Sequence, residues 1–474
     1  MIATTPDAPL GETPRGAPPR GHAPRGVTTA GIAVFVAFMA AGYAYNVTFV
    51  QLGVTDLGRR LVGLDDAQVA GAMAMLAIVT AAVAVAVGVW MGRVGVGRDL
   101  VRKLRIATVV VAGQTVLTAL APLVATEGAF LAWVLLTALA LGVGVPVTFS
   151  LAVHLVPVRR RGLAAAGVTA IAYAFAPLGS GDWTIEPLAR LFTVGMLLGT
   201  AALALLAWRD LPLVRAWSRQ HQRPAFGIGR YLRGPAGEGH AAPRVGADPR
   251  VGAARRTGAA RRTGADPRVQ AVARARADAR GRLLSVLALL FVVFFVDSLG
   301  FLRLVDTPFY VAETWRSAAW GPRVTIAVAH VVAAFVGGTL YGALGERALL
   351  AWVLGAFVLV HLGYQFDAQL GLGDGRALGI PILYAVAVSL YTVVTFAVWA
   401  DLSTPDTIGL HAALGVAASA WTATFLATAL ALRWAAAGVP FERHVALVNG
   451  VALPAFLVLL VVIVWPRPRV EAAA

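Results

Sequence analysis

The 474-residue chain contains no cysteine. Disulfides, thiolate metal sites and cysteine nucleophiles are therefore all excluded. Lysine is almost as scarce. Lys103 is the only one, placed by the sequence in a charged loop, so a lysine within an apolar segment, as retinal proteins and proton-pumping respiratory subunits need, is not expected. The same scarcity rules out the phosphate-cradling pattern G-x-x-x-x-G-K-[ST], so primary ATP-driven transport is not expected to be encoded in this chain. Acidic residues are few, 24 against 40 basic ones. What fills the sequence instead is hydrocarbon: 58% of residues are hydrophobic and the mean hydropathy is +0.75.

The apolar residues fall into twelve stretches, 29–51, 69–91, 106–125, 129–156, 163–177, 185–208, 283–305, 324–344, 348–365, 378–400, 409–432 and 445–465. As helices most of these cross about 30 Å of hydrocarbon. Few have a polar face, which a soluble helix needs. The expected fold class is all-α, with twelve transmembrane helices. The fifth is the shortest, with Pro177 and two glycines placed to kink it before it has fully crossed.

Charge is concentrated between Arg209 and Arg282, where 17 arginines face five acidic residues, a net +12. With Arg15, Arg20, Arg25, Arg93, Arg98, Arg102, Lys103, Arg105, Arg159 to Arg161, Arg467 and Arg469 it falls on one side of the spans, which predicts that side, and both termini, to be cytoplasmic. The cations read as a topology signal and an attraction to anionic lipid headgroups, not as a nucleic-acid surface. The implied segments are a disordered cytoplasmic tail at 1–28, ending in RGHAPRGVT and not a signal peptide, a six-helix bundle at 29–208, a linker at 209–282, a second bundle at 283–466, and a tail at 467–474. Five hexads between Ala242 and Ala271 read as disordered linker, and the following VQAVARARADARGRLL as a basic amphipathic helix on the membrane surface.

The two halves echo one another. Gly88, Gly92 and Gly95 end the second span, and Gly338, Gly342 and Gly345 end the eighth at the same spacing, 250 residues later. RGLAAAG from Arg161 and GLHAALG from Gly409 open the fifth and eleventh spans. Paired bundles of this kind are the construction of many alternating-access transporters.

On these residues the chain resembles the major facilitator superfamily (MFS) of secondary transporters. The family signature between helices two and three, roughly G-x-x-x-D-R-x-G-R-R/K, is matched by Gly88, Arg93 and Gly95 and the cations Arg98, Arg102 and Lys103, with Gly92 where the acid stands. Its repeat is matched by Gly338, Gly345 and Arg347, with Gly342 at the acidic position. The fifth span keeps part of a proton-antiporter pattern in Ala172, Ala176, Pro177, Ser180 and Gly181. The resemblance implies two pseudo-symmetric six-helix bundles, a small-molecule substrate moved by alternating access, protons and membrane lipids as partners, a monomer, and no cofactor, no metal and no enzyme activity. Proton-coupled efflux is the leading expectation. Uptake or uniport of a small polar solute such as a sugar or organic acid is the alternative. A membrane enzyme acting on lipid-linked substrates, resting on Asp56, Asp65 and Asp66 in the first outer loop, is a distant one.

Ionisable groups inside hydrocarbon mark functional sites. Asp297 lies roughly 20 Å along the seventh span from Leu283, too deep to reach water on that side. Burial opposes its charged form, which suits loading and release of a proton. A structural carboxylate bonded to a neighbouring helix is the other reading. His330 is a second proton-coupling candidate, or else a hydrogen-bonded core histidine. Tyr43 with Asn46, and Tyr391 with Thr395, are expected to line a substrate cavity, because the family places helices one, four, seven and ten around it. Gating is assigned to Arg93, to Arg303 with Asp306 at the outer end of the seventh span, and to an ion pair among Glu346, Arg347 and Asp401.

Overall fold

The computed structural model describes residues 25–179, 184–232, 267–307, 316–370 and 378–464. The first 24 residues, the hexads as far as Asp266, and the last ten residues lie outside that set. Twelve long helices form the body. α1 comprises Arg25–Tyr45 and its continuation to Val62; α2 is Asp66–Arg93; α3 is Leu100–Leu120; α4 is Glu127–Phe149; α5 is Arg161–Gly179; α6 is Ile185–Trp208. α7 is Pro267–Asp306; α8 is Trp320–Leu344; α9 is Glu346–Leu370; α10 is Gly379–Asp401; α11 runs from Ile408 to Ala436; α12 is Phe441–Val464. Eleven of them are long and apolar enough to cross a membrane. α5, with 19 residues, is the twelfth.

Helix starts follow from capping. Asp65 and Gln68 form a reciprocal capping box on α2, Asp99 accepts from the Arg102 amide on α3, and Thr126 accepts from the Ala129 amide on α4. The first turn of α6 is capped from another helix: its Ile185 amide donates to Asp56 of α1 at 2.9 Å. α1 is longer than its hydropathy implies, because two π-helical stretches, Asn46–Gly53 and Leu57–Val62, carry it past the apolar run. Arg59 and Arg60 therefore sit on a helix, bonded to Asp66 and to Asp56 and Glu186. The acidic residues of the supposed outer loop are thus occupied as caps and ion-pair partners.

Three sequence expectations change. Lys103 is not in a loop; it is fully buried in α3, its Nζ donating to the Ser150 carbonyl at 2.8 Å and lying 3.3 Å from His154 Nδ1. The basic segment after the hexads is not a separate surface helix but the first turns of the 40-residue α7. The start of the linker, 209–232, is not loose. Trp217 is buried and donates to the Val27 carbonyl, and the Gly229 amide donates to the Ser403 carbonyl, so this segment clasps α1 to the turn after α10.

α5 packs along α8 and α2 along α11, joining the halves. Glycine permits both crossings. A Cβ on Gly162 would lie 2.6 Å from the Gly338 carbonyl oxygen, and one on Gly88 would lie 2.8 Å from the Leu410 Cα and 2.9 Å from the Gly409 carbonyl oxygen. These four glycines belong to the repeated motifs. Gly95 and Gly345, the last of each triplet, have φ of +69° and +80° and end α2 and α8.

Candidate functional site: a tyrosine-ringed carboxylate between the bundles

Asp297 comes from the last third of α7, nine residues before its end, and is 8% exposed. Its carboxylate accepts from the hydroxyls of Tyr384 and Tyr391, the latter at 2.5 Å. These tyrosines are seven residues apart on α10, so two helical turns aim both rings at one point. From the other half Tyr43 of α1 and Tyr173 of α5 approach, their hydroxyls 2.7 Å apart and each within reach of Thr392. Together with Asn46, Asp297 and the four tyrosines line a cleft of about 30 Å³. Asn46 is 5% exposed and its Oδ1 has no hydrogen-bond partner among the described residues. Asn46 opens the first π-helical stretch of α1, and Trp421, which also lines the cleft, closes the π-helical stretch of α11. Such local widenings often occur at functional sites.

Tyr43, Phe294 and Trp421 also border a second space of about 100 Å³, which continues toward the arginine-rich face. Its wall is apolar, with Phe38, Leu141, Phe149 and Phe396 prominent and Thr395 and Gln114 among its few polar residues. Gly42 and Gly144 help to leave it open. Among the described residues Asp297 is the only charged side chain lining either space. Neither is large: a cavity of about 150 Å³ takes one benzene. A larger solute needs the halves to move apart.

Tyr43, Asn46, Tyr391, Thr395 and Asp297 are thus gathered at one locus. His330 is not in either lining. It is buried between α8 and α10, bonded to Ser389 Oγ at 2.9 Å and stacked on the Tyr173 ring at 4.5 Å. Tyr173, Tyr384, Trp421 and Phe294 are missed by the sequence reading. The spacing of Tyr384 and Tyr391 would have revealed one of them; nothing in the sequence brings Tyr173 to Asp297.

The arginine-rich face is sealed differently from expectation. Glu346, Arg347 and Asp401 do not form one ion pair. Asp401, at the end of α10, pairs with Arg161 of α5 at 2.9 Å, with side chains 0% and 2% exposed, and accepts from Tyr341. Arg161 also donates to the carbonyls of Ala400 and of Phe226 in the clasp. Glu346 instead accepts from Tyr231 and lies 3.4 Å from Arg282, and Arg347 donates to Ser285 at 3.3 Å. Burial, together with the Glu346 charge, pushes the Tyr231 hydroxyl well above the ordinary tyrosine value, so it stays a donor. Arg93 is exposed at the end of α2, and beside it Arg98 pairs with Asp406 across the halves. An acid from the second half thus latches the loop whose own acidic position is Gly92. At the opposite end Arg303 donates to the Val439 carbonyl, while the Asp306 side chain lies outside the described residues.

Among the described residues no group of three or more His, Asp or Glu side chains is placed to hold a metal ion. The sequence matches no protein-family model and no curated protein sequence. The architecture, however, is that of a multi-pass membrane protein, and solved structures share it. One is the proton:xylose symporter XylE bound to 6-bromo-6-deoxy-D-glucose, at 13% identity, covering 93% of this chain and 97% of that one, with a TM-score of 0.57; XylE from E. coli is also similar in a partially occluded inward-open conformation. The human organic anion transporter MFSD10 (TETRAN) is 15% identical, with 94% and 100% covered and a TM-score of 0.51. A bacterial homologue of the iron transporter ferroportin, outward-facing, is 12% identical, with 92% and 98% covered and a TM-score of 0.54. The chain has the fold of the major facilitator superfamily.

Proposed function

We propose that the chain is a secondary transporter that exports an apolar organic cation in exchange for protons, with Asp297 carrying each in turn. The observation behind this reading is the lining. A lone carboxylate in largely aromatic walls, with no arginine, lysine or histidine among the described residues of the lining, favours a solute with a hydrophobic body and one positive charge. The same lining opposes an organic anion, which would meet Asp297 unpaired. A carboxylate that holds either a proton or a cation links the two fluxes, since each must leave before the other binds. The arginine-rich face and both termini are assigned to the cytoplasm on charge distribution. The Arg161–Asp401 pair and the glycine crossings form the gate on that side, which must part for loading.

The test uses proteoliposomes enclosing a pH-sensitive dye, with wild type beside Asp297→Asn, challenged with tetraphenylphosphonium, a neutral sugar and an organic acid. Proton flux driven by the cation alone, and lost in Asp297→Asn, is the expected result. Flux retained in the variant would move coupling elsewhere, with His330 next. Solute movement without proton flux would replace exchange by uniport.

A further inference from the structure

A larger space lies outside the bundle centre, on the arginine-rich side. Between α7, the α8–α9 turn and α12 there is a groove of about 1030 Å³. Its mouth is formed by Arg230, Arg282, Arg347, Tyr231, Ser285 and Glu346. Three cations stand against two carboxylates: Glu346, engaged by Tyr231 and Arg282, and the buried Asp401, which lies 3.8 Å from Arg230. The Arg282 guanidinium is held flat over the Tyr231 ring at 4.0 Å. Below the mouth the walls become hydrocarbon, with Leu289 and Val292 of α7, Leu354 of α9 and Val458 of α12. From Arg282 to Val292 the helix descends about 15 Å, the depth of one leaflet's hydrocarbon. The lips are themselves greasy: Leu344 is 49% and Val458 64% exposed.

We propose that this groove holds one anionic phospholipid of the leaflet on the arginine-rich side, its phosphate at Arg282 and Arg347 and an acyl chain along Leu289, Val292 and Val458. Charge selects this occupant over the chain's own segments. Residues 233–266 carry seven arginines and three acids and are repelled by a cationic mouth. The groove shares no lining residue with the Asp297 cleft, so the inference stands whether or not the transport reading does. Gly342 supports it in a specific way. It lines the groove, a Cβ there would meet nothing within 4 Å, and it occupies the position where the family signature carries an acid. Glycine there keeps a second carboxylate away from the phosphate.

The experiment is native mass spectrometry of the purified, delipidated full chain titrated with dioleoyl phosphatidylglycerol or dioleoyl phosphatidylcholine. One phosphatidylglycerol should be retained, about tenfold more tightly than phosphatidylcholine. Gly342→Asp, which adds charge in open space, and Arg282→Gln with Arg347→Gln should each erase that preference. Ala288→Trp, on the exposed groove wall, should weaken both lipids alike. Equal retention of the two lipids by wild type, or an unchanged preference in Gly342→Asp, overturns the proposal. Displacement of the lipid by glycerol 3-phosphate at matched concentration would make this a soluble phosphate site and overturn it as well.

Discussion

A buried carboxylate costs several kcal/mol unless it is protonated or well bonded. Asp297 and Asp401 resolve that cost in different ways. Asp401 faces the Arg161 guanidinium, has Arg230 3.8 Å away and accepts from Tyr341, so its partners are fixed parts of the protein. Among the described residues Asp297 has only neutral hydroxyl donors, which leaves the place of a counter-charge to a mobile partner. The chain's single lysine shows the converse. Among the described residues Lys103 has no carboxylate in contact, but its amino group meets the carbonyl of Ser150, the residue that caps the C-terminal end of α4, where helix carbonyls favour a cation. Lys103→Ala should lower the thermal unfolding temperature, by roughly 1 to 3 kcal/mol of lost stability, since the carbonyl and His154 lose their donor inside the protein. An unchanged unfolding temperature would mean that water replaces the ammonium there. Asp297 was legible because a charge in an apolar run is conspicuous. Lys103 was not, because the cations flanking it disguise a buried residue as part of a loop.

At the level of elements, the glycines carry more of the architecture than the apolar runs do. Length and hydropathy fix how many helices there are; they say nothing about which helices touch. The triplets 250 residues apart hold that information, since Gly88 and Gly338 are the points where α2 meets α11 and α8 meets α5. Gly88→Leu and Gly162→Leu should therefore hold the arginine-rich ends of the halves apart, whereas Gly113→Ala, in open space on α3, should leave them in place. Accessibility of nearby introduced cysteines to a water-soluble maleimide measures this, and equal labelling of all three variants would contradict it. What hydropathy hid was the polar part of each element. The π-helical end of α1 carries arginines, so it reads as a loop, and the clasp at 209–232 reads as linker because most of its bonds end on a backbone carbonyl, which the sequence does not display.

For the whole molecule, magnitudes decide which contact keeps the arginine-rich face shut. The Arg98–Asp406 pair is exposed, with side chains 65% and 39% accessible, and such pairs contribute about 0 to 1 kcal/mol. The Arg161–Asp401 pair is buried, and removing one partner of a buried pair costs about 3 to 5 kcal/mol. Conformations of a two-state protein commonly differ by only a few kcal/mol, so a loss of the second size reverses the balance and one of the first does not. The absence of cysteine makes the measurement direct: spin labels at Val94→Cys on the end of α2 and Leu344→Cys on the end of α8, both exposed, report the separation of the halves. Asp406→Asn should leave the distance distribution close to that of the parent. Arg161→Ala should lengthen it, because the buried Asp401 carboxylate keeps only the longer 3.8 Å pair with Arg230 and gains water when the face opens. Arg161→Met combined with Asp401→Leu should return it to the short distance, since no buried charge remains and Arg230, 30% exposed, already reaches water. If Arg161→Ala and the double variant lengthen it equally, the seal depends on the hydrogen bonds from Arg161 to Ala400 and to Phe226 of the clasp, and the linker rather than the ion pair is the lock.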